Sequence, residues 1–198
     1  MLYLKCNKNR KRVNNFMKKL NTKGFTLIEL LAVITIMGVL MMVAIPSVSR
    51  TIENSRRDTF ANVTKEYINA VRNAVLADNV QCTVGGETML ASGTPAGTYH
   101  IMIDSSQTST QDLMESGGNS PFGGAKMTGY VSWTKSVTGE GTDSAKTSTT
   151  YSVWLADAGK HGLKEAKSED AVRRSAIFTK DATAPTTGPS GSNVCTLY

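Results

Sequence analysis

The chain has 198 residues, 40% apolar and 19% charged, a globular composition with room for one ordinary domain plus appendages, which excludes an intrinsically disordered protein. Its formal charge of +6 suggests a polyanionic partner, but Lys5, Lys8, Arg10, Lys11, Arg12, Lys18, Lys19 and Lys23 all fall within residues 1–24, which hold no acid. The remainder therefore carries −2, and the charge balance gives a nucleic-acid partner no support.

Residues 1–22 are polar and basic with scattered apolar positions, and read as a targeting segment outside the fold. Residues 25–45 contain no Lys, Arg or Asp. As a helix rising about 1.5 Å per residue they span roughly 32 Å, one bilayer core. The cations before them hold that end in the cytoplasm and place the C-terminal portion outside. Glu29 sits one turn inside this run, where an ionised group costs on the order of 2.5–3.5 kcal/mol, so it needs a partner. A conventional secretory signal cleaved before Arg50, read at Ser47 and Ser49, is the alternative; the length of the apolar run and the glutamate within it argue against that reading.

A basic leader, Gly24 at its end, Phe25 next, Glu29 four residues on and Pro46 closing the apolar run together resemble the processing site of type IV pilins and the related pseudopilins. The resemblance is specific over residues 23–46 and extends to the rest only in outline. It implies that a prepilin peptidase cuts between Gly24 and Phe25 and N-methylates the new terminus, and that Glu29 and Pro46 serve assembly. Other pilin subunits, the membrane and a pilus assembly platform are the implied partners. The precursor is then expected in the cytoplasmic membrane, single-pass with its head outside, and in a cell-surface filament after assembly. A glycine suits the cut, since it puts no side chain in the protease subsite and permits extended backbone. Scission creates an amine beside the Glu29 carboxylate.

Beyond Pro46, Val48, Ile52, Phe60, Val63, Tyr67, Ala70, Val71 and Ala74 recur mostly every three or four residues among charged positions, the pattern of an amphipathic helix. One helix is expected from Phe25 to about Ala77, bent or loosened at Pro46. From Val80 the composition turns to Gly, Ser and Thr, and residues 98–103, 127–137, 149–156 and 176–179 read as strands. The second and third form a hairpin with a long tip over residues 138–148. Residues 116–124 are a Gly-rich loop. Ser168 is expected to cap a short helix running to Arg174, and residues 182–191 to have little order unless Cys195 ties them down. Once Cys6 leaves with the leader, Cys82 and Cys195 remain, an even pair that is either a disulfide or two free thiols.

No pattern points to catalysis, a metal or a cofactor. His100 and His161 lie in no ligand or nucleophile–base motif, and residues 140–147 lack the glycines of a phosphate-binding loop. The basic stretch 160–180 reads as a solvated face, Trp133 and Trp154 as packing residues on paired strands, and Met37, Met41 and Met42 as helix-packing or lipid-facing residues. The expected fold is α+β, a long N-terminal helix packed on a small antiparallel sheet, pilin-like by analogy. Its parts are a leader over 1–24, an apolar helix over 25–46, an amphipathic continuation over 47–79 and a β-rich head over 80–198. The expected function is that of a structural filament-subunit precursor and not an enzyme. The alternatives are a pseudopilin of a type II secretion or competence system and a singly anchored binding domain.

Overall fold

The computed structural model describes residues 24–104, 113–114, 118–139 and 146–198. The leader up to Lys23, residues 116–117 of the Gly-rich loop and residues 140–145 of the hairpin tip lie outside the described residues. The chain divides into two compact units between Ile45 and Pro46.

One helix, α1, runs over Leu27–Leu76 with Pro46 inside it. In the first unit its side chains are exposed throughout, and it is the one helix among the described residues long and apolar enough to cross a membrane. In the second unit Phe60, Ala61, Thr64, Tyr67, Ile68 and Val71 are buried, a stripe at intervals of one, three and four residues that selects one helical face. Thr64 is tolerated there because its hydroxyl donates to the Phe60 carbonyl at 2.8 Å. The helix ends where Asp78 takes φ 55°, the left-handed position usually given to glycine. Asn79 N–H then bonds the Ala74 carbonyl at 3.0 Å and Asp78 N–H the Val75 carbonyl at 3.3 Å, which satisfies two of the last carbonyls.

The strands are β1 (Val80–Val84), β2 (Glu87–Leu90), β3 (Gly97–Asp104), β4 (Met127–Thr138), β5 (Lys146–Asp157), β6 (Gly162–Leu163), β7 (Lys167–Ser168), β8 (Ile177–Phe178) and β9 (Asn193–Leu197). They form one sheet in the order β2-β1-β9-β3-β4-β5-β6-β8, with β7 beside β5. All described pairings are antiparallel except β3 with β9, so the sheet is mixed rather than purely antiparallel.

Period-two alternation assigns the two faces. Tyr99, Ile101 and Ile103 of β3, Val131 and Trp133 of β4, and Val153 and Leu155 of β5 join the buried helix stripe in the core. Register places Val131 between Ile101 and Val153, and Trp133 between Tyr99 and Tyr151. Tyr99 and Trp133 stack with ring centres 5.8 Å apart. Gly129 lies in the same row; a Cβ there would come within 2.0 Å of the Trp154 carbonyl, so only glycine fits.

The two tryptophans do not share a surface. Trp133 is in the core, whereas Trp154 lies on the other face opposite Tyr130, which it meets edge-on at 6.0 Å, and its Nε1 donates to the Leu163 carbonyl at 2.9 Å. That outer face also holds His100, buried and 2.8 Å from the Ser192 hydroxyl through Nδ1; burial pushes its imidazole below the usual range. The segment 182–191 has no regular structure, as its prolines suggest, but it is not loose. Ala182 and Pro185 are buried, and Gly188 lies against the His100 ring.

Two expectations of helix or strand are corrected. Ser168 makes no side-chain cap, and the segment after it is a 3₁₀ turn, Glu169–Ala171, followed by a second, Arg174–Ala176. Glu169 is drawn to Arg72 of α1, whose guanidinium lies over the Tyr151 ring, and Val172 then leaves helical geometry to bury itself in the core. Only Ile177 and Phe178 of the strand expected over 176–179 pair.

Cys82 of β1 and Cys195 of β9 are directly opposite, 4.0 Å apart at Cα, and form a disulfide closing 113 residues of sequence. Constraint of the unfolded chain by so long a loop contributes typically about 2–4 kcal/mol. The double variant Cys82→Ala/Cys195→Ala is expected to lose about that much unfolding free energy in urea. An unchanged midpoint would mean that strand pairing alone holds β9 in place.

Candidate processing and assembly site

Gly24 and Phe25 precede the helix in non-helical backbone, both exposed, and among the described residues nothing beyond the chain neighbours lies within 4 Å of where a Gly24 side chain would begin. The helix starts two residues after the Gly24–Phe25 bond because Thr26 caps it. The Thr26 carbonyl accepts the first helical bond from Leu30 N–H at 3.2 Å, and its hydroxyl accepts from Glu29 N–H at 3.3 Å. Glu29 reciprocates: its Oε2 accepts from Thr26 N–H at 2.8 Å and from the Thr26 hydroxyl at 2.9 Å. This is a capping box, and it places a carboxylate at the positive end of the helix dipole.

Sequence reasoning sought a partner for Glu29 in the amine released by scission and passed over Thr26. The Thr-x-x-Glu spacing at the start of an apolar run was the available signal. Pro46 lies 17 residues further along α1 and supplies no N–H, so the Met42 carbonyl lacks its usual helical donor. Cys82 and Cys195 are brought together, but in the head sheet, where they belong to the fold and not to this site.

A second polar cluster has the residue types of a hydrolytic triad in another arrangement. The buried Asp157 carboxylate accepts from the Ser120 hydroxyl at 2.6 Å, from His161 N–H at 2.9 Å and from His161 Nδ1 at 2.9 Å. The carboxylate stands between serine and histidine, so the hydroxyl donates to Asp157 instead of to a base, and no nucleophile–base pair is formed. His161 stacks flat on Phe122 at 4.3 Å, and Phe122 meets Phe60 of α1 at 6.2 Å. The cluster ties the 118–126 loop and the Asp157–His161 turn to the helix.

Three of the six cations in the basic stretch 160–180 are paired. Lys164 meets Asp181, Lys167 meets Glu165, and Arg174 meets Asp58 of α1, whose carboxyl this guanidinium holds below the usual range.

Residues 19–45, which include the junction, Thr26, Glu29 and the apolar first part of α1, match the prokaryotic N-terminal methylation motif. The chain carries a pilin-type N-terminus. That motif is characteristic of type IV pilins and pseudopilins, which are structural subunits; it implies processing by a prepilin peptidase and assembly with other pilin subunits, and with the apolar helix it fits a membrane-anchored precursor. No curated protein and no solved structure matches the chain.

The capping box is testable apart from assembly. Thr26→Ala is expected to weaken the start of the pilin-type helix by about 1 kcal/mol and to speed amide exchange at Leu27–Leu30 in detergent micelles, while Thr26→Ser retains protection. Equal exchange in all three proteins would show that the cap contributes nothing.

Proposed function

We propose that the chain is the prepilin of a type IV pilus or related filament, cleaved after Gly24, N-methylated on Phe25 and assembled through its N-terminal helix with the head outside the cell. The observation that carries this reading is the methylation motif over residues 19–45, on a helix whose cap leaves the Gly24–Phe25 bond exposed in non-helical backbone. A protease binds its substrate extended, and a bond two residues ahead of a capped helix start is available without unwinding the helix. In this reading residues 1–24 are removed, 25–46 form the lipid-embedded and then filament-core segment, 47–79 continue the helix, and 80–198 form the head. The same N-terminus serves pseudopilins of secretion and competence systems, and the yield of this subunit in sheared surface fibres separates these uses.

Glu29 has a place in this mechanism beyond capping. A carboxylate accepts about four hydrogen bonds, and both Thr26 bonds fall on Oε2. Oε1 is available to the Phe25 amine of a neighbouring, axially staggered subunit. Pairing there removes two charges from lipid together and fixes the register of one helix against the next.

Two outcomes test the reading. Intact-mass and N-terminal analysis of membrane-extracted protein is expected to find N-methylated Phe25, and Arg50 at the terminus would replace the reading with ordinary signal cleavage. Glu29→Val is expected to insert and be cut yet enter fibres only when mixed with unaltered subunit. Abundant normal fibres from cells making this variant alone would confine Glu29 to its own helix.

A further inference from the structure

A cleft of about 570 Å³ in the head is lined by Ser49, Ile52, Glu53 and Arg56 of α1, by Phe122 and His161, and by Thr179 and Lys180. Its charge is cationic. The Glu53 carboxylate is taken by Arg57, whereas Arg56 and Lys180 are exposed and enter no ion pair among the described residues. His161 donates its Nδ1–H and backbone N–H to the buried Asp157 carboxylate and stacks its ring on Phe122, so the ring is a fixed part of the cleft wall. Two cations without an ion-pair partner among the described residues, around one hollow, form a site for a tetrahedral oxyanion. Ile52 and Phe122 add an apolar wall that a free inorganic ion would not use.

The helical residues of the cleft follow the end of the apolar run at Ile45 by only four to eleven positions. Where a membrane helix leaves the bilayer, the concentrated anions are lipid phosphodiesters, which attract cations held close to the surface. We propose that this cleft binds the phosphodiester of an anionic lipid headgroup, with Arg56 and Lys180 on the phosphate oxygens and the His161 ring in the wall beside them, and so holds the head against the membrane before assembly. The lipid assignment rests on the reading of the chain as a membrane-anchored precursor.

The chain has two histidines, which makes the test selective. His100 is buried on the outer face of the sheet against residues 188 and 192, and serves as an internal control. Full-length, uncut protein with ¹⁵N-labelled histidine in zwitterionic micelles is titrated with dihexanoylphosphatidylglycerol, and separately with dihexanoylphosphatidylcholine and inorganic phosphate. The expected result is a saturable shift of the His161 ring signals with the glycerol lipid, none at His100, and weaker binding of the other two probes. Arg56→Gln/Lys180→Gln is expected to weaken binding about tenfold or more while leaving the ligand-free His161 signals in place, which shows that the cleft is still folded.

No saturable His161 shift, equal movement of both histidines, or unchanged affinity in the double variant would overturn the site. Equal binding of inorganic phosphate would overturn the headgroup assignment. Cleavage by a prepilin peptidase is scored independently on the same protein. Headgroup binding without cleavage would remove the filament reading and keep the cleft, and cleavage without binding would do the reverse.

Discussion

The stripe Phe60, Ala61, Thr64, Tyr67, Ile68 and Val71 is the surface on which the head is organised. Six buried residues on one face of a helix cannot be covered by loops, whose backbone groups would lose water without gaining partners. A sheet satisfies its own backbone and presents alternate side chains, and β3, β4 and β5 present Tyr99, Ile101, Ile103, Val131, Trp133, Val153 and Leu155 to this stripe. The polar attachments follow from that packing. Arg72 reaches Glu169 and the Tyr151 ring, Asp58 reaches Arg174, and Tyr67 donates to the Gly118 carbonyl at 3.2 Å, each anchoring a connection that has no core of its own.

What could be read in advance divides along the range of the signal. The helix was legible to within two residues at each end, because an unbroken apolar run followed by a helical period from Val48 to Ala74 outweighs local noise. The β4–β5 hairpin and β3 were legible from alternating β-branched and aromatic residues. The β1–β2 hairpin was missed although Gly85-Gly86, both at positive φ, is a strong two-residue turn signal; neither flank is rich enough in apolar residues to announce a strand. β9 follows a proline-rich segment, and β6 and β7 have two residues each, too short for any period to register, whereas β8 was read from its composition over 176–179, one residue too long at each end. The Ser120–Asp157–His161 cluster joins residues 37 apart, and no spacing rule reaches that far.

At the N-terminus the junction, Glu29 and Thr26 are all legible locally, Thr26 through the Thr-x-x-Glu spacing that its reciprocal bonds with Glu29 bear out. The capping box changes how Glu29 is understood. A carboxylate near a bilayer was first a cost in search of a counter-charge, yet two donors of Thr26 already solvate it within its own helix. The helix end itself thus solvates the carboxylate and holds it as an oriented acceptor rather than a free one.

β9 fills a slot between β1 and β3, antiparallel to one and parallel to the other, more than a hundred residues after β1 in sequence. Until residue 197 is available, both neighbours present open edges towards the same gap, while the helix on which the sheet rests is long since made. The strand that closes the head is thus the last to be delivered in sequence. A chain halted before it carries a vacancy of defined length and register that any extended segment of suitable pattern can enter, including the same strand of another copy. The period in which these subunits are open to misassociation is thus set by topology and by the rate of chain delivery, and a more stable finished head would not shorten it.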